Sequence, residues 1–172
     1  MSGRLTVPTP APAVEDRFAI ADLCARYSWT LDTGDTEGFV ECFTDDAVFD
    51  EIVFARGRDQ IRRAVKQVFH DNALFAGRQH LIGQSLFSAD PEGRADRWRM
   101  RSFAHVVALR DTGATLFWTG WYDDIVAKID GEWLFAYRKP AKWEGEVLSG
   151  FPENTISRLR MPDNWAKPLE GD

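Results

Sequence analysis

The stretch RQHLIGQ, residues 78–84, opens the part of the chain in which apolar residues recur at every second position. A period of two predicts a β-strand with one face toward the core. This strand carries His80, and an acidic residue, Asp32, ends an aromatic helix earlier in the chain. We expect the chain to build an apolar cavity in which Asp32 and His80 meet and transfer a proton.

The composition indicates one globular domain of a soluble protein. The 172 residues are 44% hydrophobic and 28% charged, which is ordinary for that class. A formal net charge of −6 argues against nucleic acid as the main partner, because phosphate binding needs a concentrated basic surface. A core could use many of the 7 Trp and 12 Phe, and a cavity for a flat apolar ligand needs the same residue types.

The two ends of the chain are rich in proline. Residues 1–13 predict a flexible arm without the hydrophobic segment of a signal peptide, and residues 146–172 predict an irregular tail. No apolar run approaches the length that spans a bilayer, so we expect no membrane partner. Cys24 and Cys42 have neither metal nor disulfide spacing and fit free thiols of a reducing compartment. We therefore expect a cytoplasmic protein.

Three helices are predicted before the strands begin. The first covers residues 14–31, and apolar side chains recur along one face of it at steps of three and four: Ile20, Leu23, Cys24, Tyr27 and Leu31. A short second helix is expected over residues 36–43. A third, over residues 59–70, carries a full apolar stripe.

The predicted strands cover residues 47–54, 78–88, 94–110, 114–129 and 132–143. The third has conflicting parity, because Trp98 and Met100 share one face while Phe103 and His105 share the other. A bulge near residues 101–103 would reconcile the two sets.

The order of the elements indicates an α+β fold. Three N-terminal helices precede a meander of strands, and Asp130-Gly131 predicts a tight hairpin between the last two. The helices would cover the concave side of a strongly bent, mostly antiparallel sheet and leave a pocket between the layers. One domain, residues 14–145, would contain all of these elements.

Five short motifs carry a resemblance to a known superfamily. They are ARY at residues 25–27, LDTGD at 31–35, FTDDAVF at 43–49, QHLIG at 79–83 and GEW at 131–133. Their order and spacing resemble the SnoaL-like branch of the NTF2-like superfamily, which implies a cone-shaped fold. Within it the chain resembles cofactor-free lyases: scytalone dehydratase, bile-acid 7α-dehydratase and hexachlorocyclohexane dehydrochlorinase. The aromatic content also fits the diarylpropane lyases of this superfamily, which remove formaldehyde from lignin-derived compounds.

The resemblance implies roles for individual residues. The helix-end Asp of these lyases matches Asp32, and their strand histidine matches His80. The second pocket histidine of scytalone dehydratase falls on His105, and the helical tyrosine of the bile-acid enzyme falls on Tyr27. Ketosteroid isomerase has a catalytic Asp where this chain has Glu51, and its second, protonated Asp has no clear match. That departure favours a lyase over an isomerase.

The Asp–His pair has a clear chemical meaning. An ionised Asp bonded to one ring nitrogen fixes the tautomer of a His and stabilises the imidazolium that forms. The other nitrogen then acts as a general base, which contributes roughly 10²–10⁴-fold. A buried His bonded to a helix end for structure alone is the alternative reading. A metal triad of Asp32, His80 and His105 is a further alternative, which the absence of His-x-Asp/Glu spacing disfavours.

Further candidates follow from strand parity. Arg78 shares the parity of the strand histidine and is expected near the pocket mouth, while Arg138 and Lys142 share one face of the last strand. Each of these could stabilise an oxyanion or lie at the surface. Glu51 would be a second acid or base, with a raised pKa, if its face is inward. Tyr27 and His105 could equally be core residues. The aromatic candidates for substrate binding are Phe49, Phe103, Trp118 and Trp121.

These features together predict a cofactor-independent lyase. Its substrate would be a hydrophobic, aromatic, oxygenated small molecule, lignin-derived or polyketide-like, that loses water or formaldehyde. The alternatives are an isomerase or cyclase on the same scaffold and a non-enzymatic small-molecule-binding module. We expect a homo-oligomer, with the resemblance favouring a trimer over a dimer.

Overall fold

Three helices lie against one curved sheet in the structure, a computed structural model that describes residues 11–141. The helices are α1 (Val14–Thr33), α2 (Thr36–Glu41) and α3 (Gly57–Ala64). After α3 the chain continues through a π-helical turn, Val65–His70, and a 3₁₀ turn, Ala73–Phe75. The predicted α+β architecture is confirmed.

The sheet has six strands in the order β2-β1-β6-β5-β4-β3. Neighbouring strands are antiparallel except for β1 and β6, which are parallel. The strands are β1 (Phe43–Asp50), β2 (Phe54–Arg56), β3 (Arg78–Ala89), β4 (Arg97–Arg110), β5 (Gly113–Ile129) and β6 (Glu132–Ala141).

The core lies between the helices and the inner face of the sheet. The predicted apolar face of α1 is buried there, with Leu23 and Tyr27 fully enclosed. Aromatic rings from α2, β1 and β6 pack edge to face around it: Phe39, Phe43, Phe49 and Phe135. Each such side chain stabilises the fold by about 1.5–3 kcal/mol through loss of apolar surface from water.

The end of α1 fixes where Asp32 lies. Gly34 adopts the left-handed conformation, with φ of 79°, and its N–H donates to the Thr30 carbonyl. The Asp35 side chain then caps α2 by accepting from the Gly38 N–H at 3.0 Å. Because α1 stops at this point, Asp32 stands in its last turn, facing the start of β3.

Two predicted boundaries are wrong. The second helix ends at Glu41, because the chain becomes extended from Phe43 and pairs with β6. The predicted first strand over residues 47–54 begins earlier, at Phe43, and ends at Asp50, after which the chain folds back as β2. The reversal places Glu51 at a bend beside the core rather than in a continuous strand.

The bulge predicted near residues 101–103 lies in the neighbouring strand and not in β4. The register between β3 and β4 shifts between Gly83 and Leu86, which pair with Phe103 and Arg101, so the extra residue is in β3. Strand β4 keeps its register with β5 from Arg97 to Val106, and the irregularity there lies at Val106/Val107. Alternate residues of β4 therefore point to opposite faces of the sheet along this stretch. Met100, Ser102, Ala104 and Val106 are buried on the inner face, and Phe103 and His105 point the other way.

The hairpin between β5 and β6 has the predicted form. Asp130 and Gly131 both have positive φ, 50° and 91°, as a type I′ turn requires. The predicted C-terminal tail, most of the predicted N-terminal arm and Lys142 lie outside the described residues. Within residues 11–141, no helix is long and apolar enough to cross a membrane.

Candidate functional site

Asp32 and His80 are in contact at the junction of α1 and β3. The ring Nδ1 of His80 lies 2.6 Å from one carboxylate oxygen of Asp32, and the backbone N–H of His80 donates to the other oxygen at 2.7 Å. The Asp32 side chain is only 15% exposed and the His80 side chain only 10%. The last turn of α1 supplies the acid and the first residues of β3 supply the base, so two rigid elements hold the pair.

This geometry defines the chemistry of the ring. The carboxylate can only accept, so a neutral His80 carries its proton on Nδ1 and donates it to Asp32. The basic position of the ring is then Nε2. When Nε2 takes a proton, the carboxylate stabilises the imidazolium. The arrangement can therefore serve as a general base.

A second polar group, built around Glu51, lies near this pair. The Tyr27 hydroxyl donates to Glu51 Oε1 at 2.9 Å, and Tyr122 packs against the Tyr27 ring with centroids 6.2 Å apart. Burial raises the pKa of Glu51, while Arg138, Tyr27 and His80 act to lower it. A carboxyl with a raised pKa beside an imidazole can hold a proton that the imidazole lacks.

Arg138 lies beneath these tyrosines and is fully buried. Its guanidinium contacts the Tyr27, Tyr122 and Phe135 rings at 3.9–4.0 Å and donates to both carboxylate oxygens of Asp124, at 3.0 and 3.2 Å. Burial raises the pKa of Asp124 and Arg138 lowers it, and the bidentate contact favours the ionised pair. The prediction of Arg138 as a substrate-binding or surface residue is wrong, because the rings and Asp124 enclose it.

Arg78 lies on the same face of β3 as His80. The Cζ of its guanidinium lies 3.7 and 3.8 Å from the ring centroids of Phe75 and Phe117, and Nη2 donates to the Leu74 carbonyl at 2.5 Å. Burial and the nearby Arg110 lower the pKa of Arg78 to about 10, so the side chain keeps its charge at neutral pH. Arg78 was predicted to lie near the pocket mouth. In the structure it is a buried cation close to the Asp–His pair.

Other predicted site residues are not brought together with the pair. His105 points to the outer face of the sheet, where Nδ1 lies 2.8 Å from the Thr119 hydroxyl in an exposed position. The prediction that His105 shares the cavity is wrong, because it depended on the bulge that β4 lacks. Phe103 and Trp121 are paired on that same outer face, beside Arg101.

The two remaining aromatic candidates, Phe49 and Trp118, lie in different environments. Phe49 is completely buried among other core rings, so its prediction as a substrate-binding residue is wrong. Trp118 lies on the inner face with its ring 6.2 Å from that of Tyr122, which is compatible with a substrate-lining position. Lys142 falls outside the described residues.

Sequence reasoning missed Tyr122 and Asp124. Both sit on β5 in a run of alternating burial, and both face inward. The available signal was parity: Asp124 has the same parity as the apolar Val126, so an inward carboxylate was readable from the alternation. Residues 11–141 contain no cluster of three or more His, Cys, Asp or Glu side chains that could hold a metal ion.

Comparisons with known proteins agree with this architecture. Rv3472 from Mycobacterium tuberculosis, whose function is unknown, is 27% identical, with 88% of each chain covered and a TM-score of 0.64. An NTF2-like protein with a cystatin-like fold from Novosphingobium aromaticivorans is 21% identical, covering 80% of this chain and 88% of its own, with a TM-score of 0.66.

A scytalone dehydratase candidate from Novosphingobium aromaticivorans is also 21% identical, covering 76% of this chain and 86% of its own, with a TM-score of 0.59. At 21% identity these two neighbours show the fold alone. No curated protein matches the chain. The family model of the SnoaL-like domain matches residues 12–139. The chain therefore belongs to the SnoaL-like family and has the NTF2-like fold.

Proposed function

We propose that the chain is a cofactor-independent lyase that removes a proton and a neighbouring oxygen group from a hydrophobic small molecule. The observation that carries this proposal is the double contact of Asp32 with His80. One carboxylate oxygen binds the ring and the other binds the backbone N–H of the same residue. The bond to the backbone N–H holds the carboxylate in place, and the bond to Nδ1 then fixes the tautomer of the ring, which a general base requires.

The elimination step balances without a cofactor. His80 Nε2 removes a proton from a carbon next to a carbonyl group, and the electron pair of the broken C–H bond forms a C=C bond. The C–O bond on the adjacent carbon breaks, and its oxygen leaves with a proton as water. Where the leaving fragment is a hydroxymethyl group, His80 instead removes the hydroxyl proton, the C–C bond breaks, formaldehyde leaves and the substrate carbon takes up a proton.

Glu51 is the proposed source of the proton on the departing oxygen. The Tyr27 hydroxyl donates to Oε1 of Glu51, and Tyr122 also hydrogen-bonds this carboxyl, so two tyrosines hold the proposed acid in place. Loss of that proton creates a carboxylate that the Tyr27 hydroxyl and the buried positive charge of Arg138 stabilise. Tyr27 acts here through Glu51, and not as an acid itself, because burial raises its pKa well above the usual value.

An aromatic substrate fits the groups that surround the pair. Trp118 is half-buried on the inner face of the sheet and offers a ring face to the substrate, and the buried Tyr122 packs behind it. Flat apolar molecules are held by such faces, and few polar groups are needed to orient them. The proposed substrates are oxygenated aromatic compounds of the lignin-derived or polyketide-like kind.

Product analysis tests this function. The full chain would be incubated with a panel of aromatic β-hydroxy ketones and hydroxymethyl-substituted two-ring compounds, and the products weighed by mass spectrometry. We expect loss of water or of formaldehyde, and we expect His80→Gln to abolish it. Asp22→Asn, an exposed acid on the same helix as Asp32, is the matched control and should behave as the wild type. Turnover that survives in His80→Gln contradicts the proposal.

An isomerase on the same scaffold is the second candidate, because Glu51 occupies the bend after β1 and could return a proton to a different carbon. The same experiment separates the two reactions. Isomerisation leaves the mass of the substrate unchanged, whereas elimination lowers it.

A further inference from the structure

Arg78 differs from the other arginines that are held in place in this structure. In four of them the edge formed by Nε and Nη2 grips a carboxylate with both nitrogens: Arg62 on Glu37, Arg94 on Asp90, Arg99 on Asp123 and Arg138 on Asp124. Arg58 uses this edge on a neutral carbonyl, that of Phe43, but it also pairs Nη1 with Asp45. At Arg78 the same edge has only the Leu74 carbonyl, on Nη2. Its Nε is buried and has no hydrogen-bond partner among the described residues.

The surroundings of Arg78 leave its charge uncompensated. No carboxylate of residues 11–141 lies within ion-pair distance of the guanidinium, although the residue is only 6% exposed. Asp32 is the acid that acts on it, and both oxygens of Asp32 are engaged by His80. The nearby Arg110 adds a second positive charge. Burying a cation without a bonded anion is costly, and a ligand anion would remove that cost.

The aromatic rings that pack on the guanidinium restrict how an anion could approach. Its Cζ lies 3.7 Å from the Phe75 ring and 3.8 Å from the Phe117 ring, so the N–H edge is the part left for bonding. A planar carboxylate is the group that matches such an edge, because its two oxygens meet two parallel N–H bonds.

We propose that Arg78 anchors a carboxylate carried by the substrate, so that the lyase acts on aromatic acids rather than on neutral aromatic compounds. This inference rests on the proposed function for the identity of the reacting end. Arg78 and His80 are two residues apart on one face of β3, which places their Cα atoms about 7 Å from each other. An anion at Arg78 therefore leaves the reacting carbon about one aromatic ring away, beside His80.

Binding measurements test the inference without knowledge of the natural substrate. Isothermal titration calorimetry would compare trans-cinnamate with cinnamamide, which has a similar shape and no charge. We expect the full-length wild type to bind the acid about tenfold or more tightly than the amide, the size of one charge-assisted hydrogen bond. Arg78→Gln should lose this preference, and Arg63→Gln, at an exposed position on α3, should retain it.

A second variant covers a folding defect in Arg78→Gln. Arg78→Lys keeps the positive charge but cannot present two parallel N–H bonds, so we expect a reduced preference for the acid. Equal affinity of the wild type for acid and amide overturns the inference, as does failure of the acid to bind at millimolar concentration. A preference that persists in Arg78→Gln overturns it as well.

The outcome is separable from that of the proposed function. His80→Gln should bind cinnamate with the wild-type preference, because the anion site lies two residues away from the ring. If no elimination is found while the preference depends on Arg78, the lyase proposal fails and the anion site stands. If elimination is found and the preference is absent, the reverse holds.

Discussion

Asp32 uses both of its carboxylate oxygens on one residue, His80, and that double contact sets expectations at the residue scale. The pairing of Asp32 with His80 could be predicted, because a helix-end acid and a strand histidine of inward parity are both readable from the sequence. The burial of Arg138 could not be predicted. An arginine on a strand looks like a surface residue until its partner Asp124, on the neighbouring strand, is known.

Replacing Asp32 by Asn tests whether the carboxylate fixes the tautomer of His80. The amide offers one acceptor oxygen where the carboxylate offers two, so one N–H of His80 loses its partner. We expect proton-transfer activity to fall about 10²–10⁴-fold and the free energy of unfolding to fall by about 2 kcal/mol. Nitrogen-15 NMR of the imidazole should show Nδ1 protonated in the neutral wild-type ring and a mixture of tautomers in the variant. An unchanged tautomer in Asp32→Asn would contradict this reading, and Asp22→Asn is the control.

Glu51 should make stability depend on pH in a direction opposite to most carboxylates. Burial raises its pKa above 4.5, so the folded chain binds this proton more tightly than the unfolded chain does. The stability that comes from Glu51 is therefore complete below that pH and is lost as the pH rises through the raised pKa. Glu51→Gln stays neutral, so its stability relative to the wild type should improve as the pH rises above 4.5 and through the raised pKa of Glu51.

Urea unfolding at a series of pH values measures this difference. Glu41→Gln, which removes an exposed carboxylate at the end of α2, controls for the loss of a charge. A pH-independent difference between Glu51→Gln and the wild type would mean that the Glu51 carboxyl is ionised as easily in the folded chain as in the unfolded one.

At the scale of elements, the end of α1 and the parity of β4 decide which residues meet. The end of α1 was predictable, since Gly34 follows the last apolar residue of the helix. The parity of β4 was not, because both of its faces carry large apolar side chains and only the position of the bulges tells them apart. His105 was misplaced for that reason.

Two glycine substitutions measure how much the left-handed backbone at the end of α1 matters for stability. A Cβ would meet nothing within 4 Å at either Gly34 or Gly83, but Gly34 has φ of 79° and Gly83 has an ordinary conformation. Gly34→Ala should therefore cost about 1–2 kcal/mol of unfolding free energy, the penalty of a left-handed residue with a Cβ. Gly83→Ala should be close to neutral. Equal effects of the two changes, measured by chemical denaturation, would show that the left-handed turn does not limit stability.

On the scale of the whole molecule, the outer face of the sheet exposes apolar side chains to solvent. Leu81 of β3 and Leu116 of β5 are 57% and 46% exposed on that face, on either side of β4. Fold and family were predictable from the order of short motifs, because the same helix–sheet layout demands similar turns at similar spacing. What the outer face contacts is a property of assembly, which strand alternation does not encode.

We expect this face to join copies of the chain into a homo-oligomer, a trimer by family resemblance, since exposed apolar surface of this kind seeks a partner. Analytical ultracentrifugation at micromolar concentration should show the oligomer for the wild type and dissociation for Leu81→Asp. Phe18→Asp changes an exposed apolar residue on α1 and should leave the assembly intact. A wild type that sediments as a monomer would exclude this role of the sheet face.

Proton removal by His80 from a bound small molecule is tested most directly with 4-(1-hydroxy-3-oxobutyl)benzoate, an aromatic β-hydroxy ketone that carries a carboxylate. Its loss of water is followed by the absorbance of the conjugated enone. We expect turnover by the wild type and by Asp22→Asn, with a loss of about 100-fold or more in His80→Gln. A wild-type rate no faster than buffer, or an equal rate in His80→Gln, would contradict it.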